Sequence, residues 1–100
     1  MFDINIYNSS NKNQAWSLNN DIKFYLESGG RIRKKLKGDD SIIIKVIVET
    51  MHHHIDTTAT LTYNIKDKEW IFNPTNPELW LFSEDSLTLH CNLGNSIQCL

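Results

Sequence analysis

The chain has 100 residues, of which 40% are hydrophobic and 22% charged, with a net charge of −2 at pH 7. This length predicts a single domain over residues 1–100, and the mild negative charge predicts neither nucleic acid nor an anionic membrane as a general partner. No run approaches the ~20 apolar residues of a membrane span, and residues 1–10 lack a signal-peptide pattern, so we expect a cytoplasmic protein with no membrane partner.

The first quarter of the chain predicts a strand followed by a helix. Residues 2–7 alternate apolar and polar side chains, which is typical of a strand with one buried face. Four apolar residues then follow at positions i, i+4, i+7 and i+8, the spacing of one helical stripe: Leu18, Ile22, Tyr25 and Leu26. We therefore expect a helix at about residues 18–28, with Gly29 closing its end.

A central strand is predicted at Ser41–Thr50, whose sequence is SIIIKVIVET. Its β-branched residues favour extended structure, and its even-numbered positions form a wholly apolar face while the odd-numbered positions are mixed. Such a strand belongs in the middle of an antiparallel sheet that is covered on one side.

The remaining segments predict a series of hairpins. Residues 31–37 would pair with the central strand across the turn Gly38-Asp39-Asp40, and a hairpin near Met51–His54 would lead into the next strand. Two-residue turns at Asp67-Lys68 and Glu84-Asp85 would set Ile65 beside Trp70, Phe82 facing Leu87 and Trp80 facing Leu89. A last turn at Gly94-Asn95 would return a short strand ending at Leu100.

The predicted fold class is therefore α+β: a single curved antiparallel β-meander of about 7–8 strands, with one N-terminal helix packed on one face. The order of strand, helix and meander resembles the cystatin-like layout. The Gln-x-Val-x-Gly loop of cystatins is absent from this sequence, so the resemblance implies the layout and not protease inhibition.

The histidines in the segment Met51–His54 form a candidate metal site. A His-x-His pair on an extended strand directs both rings to one side, with Glu49 and Asp56 nearby. The hairpin places these histidines in a turn, so a polar turn is the preferred interpretation and a small metal-dependent enzyme using His52 and His54 is the alternative. A loop at Met51-His52 would set Glu49 beside His54 without any metal, and we predict no cofactor.

The two cysteines, Cys91 and Cys99, are expected to be free thiols, because cytoplasmic proteins rarely keep disulfides. A turn between them would place them across from one another, so a disulfide is the alternative. His90 adjoins Cys91, but neighbouring strand residues point to opposite faces, which argues against a nucleophile and base pair.

The charges are unevenly distributed. Residues 31–37 carry five cations and no acid. Four of these cations share one strand face that would suit a phosphate backbone, so a nucleic-acid-binding module is a second alternative function. That strand lacks aromatic residues for base stacking, and a solvated edge strand is the preferred interpretation, which makes nucleic acid an unlikely partner in this prediction.

The C-terminal third contains no Lys or Arg after Lys68 and is rich in acids and tryptophan. An apolar patch bordered by carboxylates is typical of a protein-binding surface. The predicted partner-binding residues are four carboxylates for electrostatic complementarity and two leucines as apolar anchors: Glu69, Glu78, Glu84, Asp85, Leu79 and Leu81.

This overall profile resembles the small cytoplasmic immunity proteins that neutralise bacterial toxins, including those of contact-dependent inhibition systems. The resemblance implies a non-enzymatic inhibitor whose partner is a cognate protein toxin, such as a basic nuclease. The same profile suits a monomer or a dimer formed through the sheet.

Overall fold

The structure, a computed structural model, describes residues 2–37 and 41–95. The described residues form nine strands and one short 3₁₀ turn at Pro77–Leu79. The strands are β1 (Phe2–Asn8), β2 (Gln14–Leu18), β3 (Ile22–Leu26), β4 (Arg31–Leu36), β5 (Ile42–Glu49), β6 (His54–Asn64), β7 (Glu69–Pro74), β8 (Trp80–Ser83) and β9 (Thr88–Cys91).

The strands are arranged in two sheets. The four-stranded sheet has the order β4-β1-β9-β8, and the five-stranded sheet has the order β3-β2-β5-β6-β7. Neighbouring strands are antiparallel except β1 and β9, which are parallel. Buried residues of both sheets form one hydrophobic core, so the fold is a β-sandwich. The predicted α+β class and the single meander are therefore wrong.

The predicted helix at residues 18–28 is instead the hairpin of β2 and β3. Asn19 and Asn20 have φ angles of 55° and 60°, and the Asp21 N–H donates to the Leu18 carbonyl at 3.1 Å. Asparagine tolerates this left-handed conformation, and two such residues in sequence favour a tight hairpin turn. β2 alternates in burial, and in β3 Phe24 and Leu26 are more buried than Lys23 and Tyr25, so the helical stripe of four residues was a coincidence between two strand patterns.

The predicted pairing of residues 31–37 with the central strand is also wrong. β4 pairs with β1, joining Ile6 to Ile32 and Phe2 to Leu36, whereas β5 lies between β2 and β6. The apolar residues of β4, Ile32 and Leu36, alternate with cations, a pattern that fits the edge of either sheet, so the sequence of β4 alone does not choose between them. The turn Gly38-Asp39-Asp40 lies outside the described residues.

The later hairpins have the predicted faces but a different register. β6 pairs Tyr63 with Trp70, and β8 pairs Phe82 with Leu89 and Trp80 with Cys91. Each loop has four residues instead of two, 65–68 and 84–87. Lys68 and Leu87 close these loops with φ angles of 53° and 49°. A two-residue shift keeps every side chain on its face, because the period of a strand is two.

Two other predicted turns are confirmed. The β5–β6 hairpin sets Glu49 beside His54, with residues 50–53 as its loop. The chain also turns at Gly94 and Asn95; Gly94 has φ 116°, and a Cβ there would lie 2.9 Å from the Lys12 Cβ. The predicted last strand, ending at Leu100, lies outside the described residues.

Aromatic side chains join the two sheets. The Trp80 ring of the four-stranded sheet meets Trp16 and Phe72 of the five-stranded sheet at centroid distances of 5.7 and 5.6 Å. The Phe82 ring likewise meets Phe72 at 5.3 Å and Trp70 at 6.5 Å. The four aromatic residues of β7 and β8 in this group face the core, where the opposite sheet covers them. We call this group the aromatic seam.

A fully buried glutamine side chain crosses between the sheets at one end of the core. The Gln14 amide donates to the carbonyls of Cys91 and Leu93 at 3.1 and 3.0 Å, and its oxygen accepts from the Trp16 indole at 2.8 Å. The neighbouring Asn8 side chain donates to the carbonyls of Lys12 and Leu26. The side chains of Gln14 and Asn8 are thus paired, as their desolvation requires. The buried Asn92 Oδ1, just after β9, has no hydrogen-bond partner among the described residues.

The described residues contain no helix of the length and apolar character that crossing a membrane requires.

We expect Asn19→Ala to lower the free energy of unfolding by about 1–2 kcal/mol. The change removes the side-chain oxygen that accepts from the Ile43 N–H at 2.8 Å, and it places an alanine in the left-handed region. Urea denaturation measures this loss. Asn20→Gly is the matched control, because glycine suits the same turn, and it should leave stability unchanged or slightly raised; an equal loss in both variants would contradict this turn assignment.

We expect Gln14→Leu to lower the free energy of unfolding by at least about 3 kcal/mol, although leucine has a similar volume. The substitution leaves the Leu93 carbonyl and the Trp16 indole N–H without their buried partner, while the Cys91 carbonyl keeps only the Ser9 backbone N–H at 3.1 Å. Ser17→Ala, on the outer face of the same strand, is the control and should change stability by no more than about 0.5 kcal/mol. Denaturant unfolding of both variants tests the pair, and a near-neutral Gln14→Leu would show that the amide is dispensable.

Candidate functional site

The predicted partner-binding residues border the edge where β7 and β8 face each other. They are spread along the length of these strands. Glu69 begins β7, Glu78 lies in the 3₁₀ turn, and Glu84 and Asp85 lie in the β8–β9 turn. All four are exposed. About four extended residues separate the two ends of β8, so Glu78 and the β8–β9 turn are on the order of 15 Å apart.

The structure does not join these residues into one apolar patch with an acidic border. Leu81 is 65% exposed on the outer face of the four-stranded sheet, whereas Leu79 is half-buried against the core. Glu84 accepts a hydrogen bond from the Trp70 backbone N–H at 3.1 Å. The Glu84 carboxylate therefore satisfies a backbone N–H of the edge strand β7, so this residue has a structural role.

The histidine cluster is a polar hairpin turn. The Glu49 carboxylate and the His54 Nδ1 lie 2.8 Å apart, as the Met51-His52 loop predicted, and the His53 backbone N–H donates to the Thr50 hydroxyl. Lys45 lies 3.9 Å from Asp56, which keeps that carboxylate away from the histidines. In residues 2–37 and 41–95 no three His, Cys, Asp or Glu side chains are grouped for metal binding.

Cys91 and His90 lie on opposite faces of β9, as expected for adjacent strand residues. Cys91 is a free, fully buried thiol, whereas the His90 ring stacks on Tyr7 outside the sandwich. Burial raises the pKa of the Cys91 thiol to about 11, and a hydrogen bond with the Leu93 backbone opposes this in part. This cysteine is therefore a core residue; Cys99 lies outside the described residues.

A groove on the outer face of the five-stranded sheet was missed by sequence reasoning. Ala15 and Ser17 are small outward residues of β2, and larger residues flank them on both neighbouring strands. Its volume is about 600 Å³. We call it the β2 groove, and its outward side chains are Ala15 and Ser17 on the floor and Lys23, Tyr25, Lys45, Ile47 and Glu49 on the walls.

The pairing register sets the chemistry of the β2 groove in two rows. One row is apolar, since Ala15 pairs with Tyr25 on one side and Ile47 on the other. The next row is basic, since Ser17 pairs with both Lys23 and Lys45. Tyr25 is 83% exposed, so its ring is available for contact with another molecule.

A second surface lies on the outer face of the four-stranded sheet. The β1 pairings bring Tyr7 between Arg31 of β4 and His90 of β9, and Leu81 of β8 follows. We call this surface the arginine face and define it by Asn5, Tyr7, Arg31, Arg33, Lys35, Leu81 and His90. The alternation of residues in β1 and β4 indicated which of their side chains point outward. It did not indicate that these two strands, distant in the sequence, pair with each other.

Comparison with known proteins does not assign a family. No protein-family model, no curated protein and no solved structure matches this chain. Function is therefore inferred from the residues and their geometry.

We expect Cys91 to be unreactive in the folded protein. In a Cys99→Ser chain, in which Cys91 is the only thiol, the colour reaction with a disulfide reagent at about pH 8 should be slow and should become rapid after unfolding in urea. Immediate stoichiometric labelling of the folded chain would contradict the buried placement of this thiol.

The raised pKa also predicts a direction for stability at high pH. Well below pH 9 the thiol is neutral in the folded and the unfolded chain, so its contribution to stability is constant. As the pH rises from 9 to about 11, the unfolded chain ionises first and the folded state loses stability. Urea denaturation across this pH range should show a smaller loss of unfolding free energy in a Cys91→Ala variant than in the parent chain.

Proposed function

We propose that this protein is a non-enzymatic protein-binding module of the inhibitor type, and that it contacts its partner through the β2 groove. The observation that carries this proposal is the pairing of an apolar row with a basic row on one rigid sheet face. Protein interfaces favour such surfaces, in which an exposed aromatic anchor lies beside charges that set the orientation.

The basic row suits a carboxylate of the partner. Lys23 and Lys45 flank Ser17 at backbone positions roughly 10 Å apart, a distance that two long lysine side chains span when they converge on one anion. Asp56 lies 3.9 Å from Lys45 and is more than a third exposed, so it neutralises that lysine weakly. Lys23 forms no ion pair with any residue in the described part of the chain.

The apolar row suits an apolar side chain of the partner that lies next to that carboxylate. Tyr25, Ala15 and Ile47 provide an aromatic ring, a shallow floor and a branched wall in one line across three strands. Because β2 has a hydrogen-bonded strand on each side, the groove is held before the partner arrives. Such preorganisation lowers the entropy lost on binding.

The partner that we propose is a cognate protein toxin, neutralised by a cytoplasmic immunity protein. The support for this is the profile of the chain together with the groove, which offers a compact, preformed docking surface on a small domain. The exposed acids Glu69, Glu78 and Asp85 border a different part of the molecule and are not part of this docking surface.

A growth assay tests this proposal. The C-terminal part of the protein encoded immediately upstream is expressed with and without this chain, and we expect toxicity that only this chain relieves. Tyr25→Ala should weaken binding to that partner by roughly 30-fold, equivalent to about 2 kcal/mol. Calorimetry with the purified pair measures the loss, and the double variant Lys23→Glu, Lys45→Glu should abolish protection.

The matched control is the double variant Glu78→Lys, Asp85→Lys. It changes the net charge by the same magnitude as the lysine double variant, in the opposite direction and away from the groove. It should retain protection and at least most of the affinity. Loss of protection in this control alone would assign binding to the acidic residues and not to the groove. Absence of toxicity, or toxicity that this chain leaves unchanged, would contradict the inhibitor function with this upstream partner.

A further inference from the structure

The arginine face carries a row of cations that are spaced along one strand. Arg31, Arg33 and Lys35 are exposed at alternate positions of β4 and therefore lie on one side of the sheet, roughly 7 Å apart. β4 is an edge strand, so this row is open along its whole length. Lys34 points the other way and covers the Phe24 ring at 4.7 Å.

These three cations are not neutralised within the described part of the chain, residues 2–37 and 41–95. The ion pairs there join Lys45 to Asp56 and His54 to Glu49, which leaves the β4 cations without a carboxylate in contact. Asp3 is opposite Lys35 in the β1–β4 register and is exposed. Arg33 donates its Nε–H to the Asn5 oxygen at 3.2 Å, a bond that orients the guanidinium and leaves its other N–H groups available.

A polar recess of about 430 Å³ lies at the two arginines. Its lining includes Arg31, Arg33, Asn5 and Tyr7. Two guanidinium groups beside an amide and a phenol form a set of donors that fits a phosphate oxygen cluster, since arginine binds phosphate through paired N–H groups.

Aromatic and apolar side chains from neighbouring strands adjoin this recess. They provide the stacking groups that β4 itself lacks. The Tyr7 and His90 rings stack with their centroids 4.7 Å apart and their planes within 8° of parallel. Leu81 is directly opposite His90 in register and is 65% exposed. The registers place Arg31, Tyr7, His90 and Leu81 in one row across the four strands, so this strip of two rings and a leucine meets the cation row of β4 at Arg31.

We propose that the arginine face binds single-stranded nucleic acid, with phosphates at the cations of β4 and the bases nearest Arg31 over Tyr7, His90 and Leu81. Every nucleotide brings one phosphate and one base, so an oligonucleotide complements both parts of the surface. In a duplex the base faces are stacked and inaccessible, so a single strand fits better. This site is separate from the β2 groove, which lies on the outer face of the other sheet.

Fluorescence anisotropy with a labelled single-stranded oligonucleotide of roughly 12 nucleotides tests the proposal on the full chain. Contact with about three phosphates predicts that log K falls with log salt at a slope of about −2, so that affinity drops by roughly 20-fold between about 50 and about 200 mM salt. Arg33→Ala should reduce the size of the slope by about 0.7. Tyr7→Leu should lower affinity by roughly 5- to 30-fold with the slope unchanged, because it removes stacking and no charge.

The matched control is Lys23→Ala with Lys45→Ala, which removes two cations from the opposite face. This control should leave the affinity and the slope unchanged, whereas Arg31→Ala with Arg33→Ala should abolish most binding. Equal losses in the two double variants would overturn the site, because attraction would then follow net charge alone. No binding at about 50 mM salt, or equally strong competition by a glutamate-rich peptide or by duplex DNA, would also overturn it.

Thermal unfolding of each variant separates folding defects from binding defects. The substituted arginines are exposed, so the melting temperatures of the arginine variants should match that of the parent chain. His90→Leu provides a second test of stacking if Tyr7→Leu unfolds, since His90 contributes the other ring of the pair. Unchanged affinity in a folded His90→Leu or Tyr7→Leu chain would contradict the stacking of bases on this strip.

Discussion

The Gln14 side chain is the interaction on which the closure of this sandwich depends. It belongs to β2 of the five-stranded sheet, yet its amide donates to carbonyls at the end of β9 and just beyond it. Those carbonyls have no access to water at this position, because Cys91 and Leu93 are buried. A buried amide that satisfies two backbone oxygens and one indole N–H fixes the relative position of the sheets more strictly than apolar packing does.

The aromatic seam complements this polar tie. Apolar packing supplies most of the stabilisation but tolerates sliding, since it is non-directional. The edge-to-face contact of Trp16 with Trp80 adds direction, and the Trp16 indole is also the donor to Gln14. One tryptophan thus links the apolar core to the polar end, and the faces opposite the core are left free for binding.

The two outer faces have different chemistry because each combines strands that are distant in sequence. The β2 groove depends on small residues of β2 between β3 and β5, and the arginine face depends on β1 between β4 and β9. Sequence reasoning recognised the cations of β4 and the exposure of Leu81, but it assigned them to separate surfaces. The acidic residues that it selected are exposed, but of its two apolar anchors only Leu81 lies on an outer face, while Leu79 packs against the core.

Local patterns were sufficient for the strand identity of most segments and for the buried face of those strands, as in β5, whose alternate residues are buried as its apolar face predicted. They were also sufficient for the Glu49–His54 pair, because a short hairpin is a local structure. They were insufficient for register, since a shift of two residues leaves every face unchanged. The tertiary structure decided three other features: a hairpin instead of a helix at Asn19-Asn20, the partner of β4, and the parallel pairing of β1 with β9. The two pairings depend on contacts between strands far apart in the chain, where the same alternation of apolar residues fits more than one neighbour. The hairpin is held in place by the pairing of β2 with β5 and by the hydrogen bond that the Asn19 side chain accepts from the Ile43 N–H.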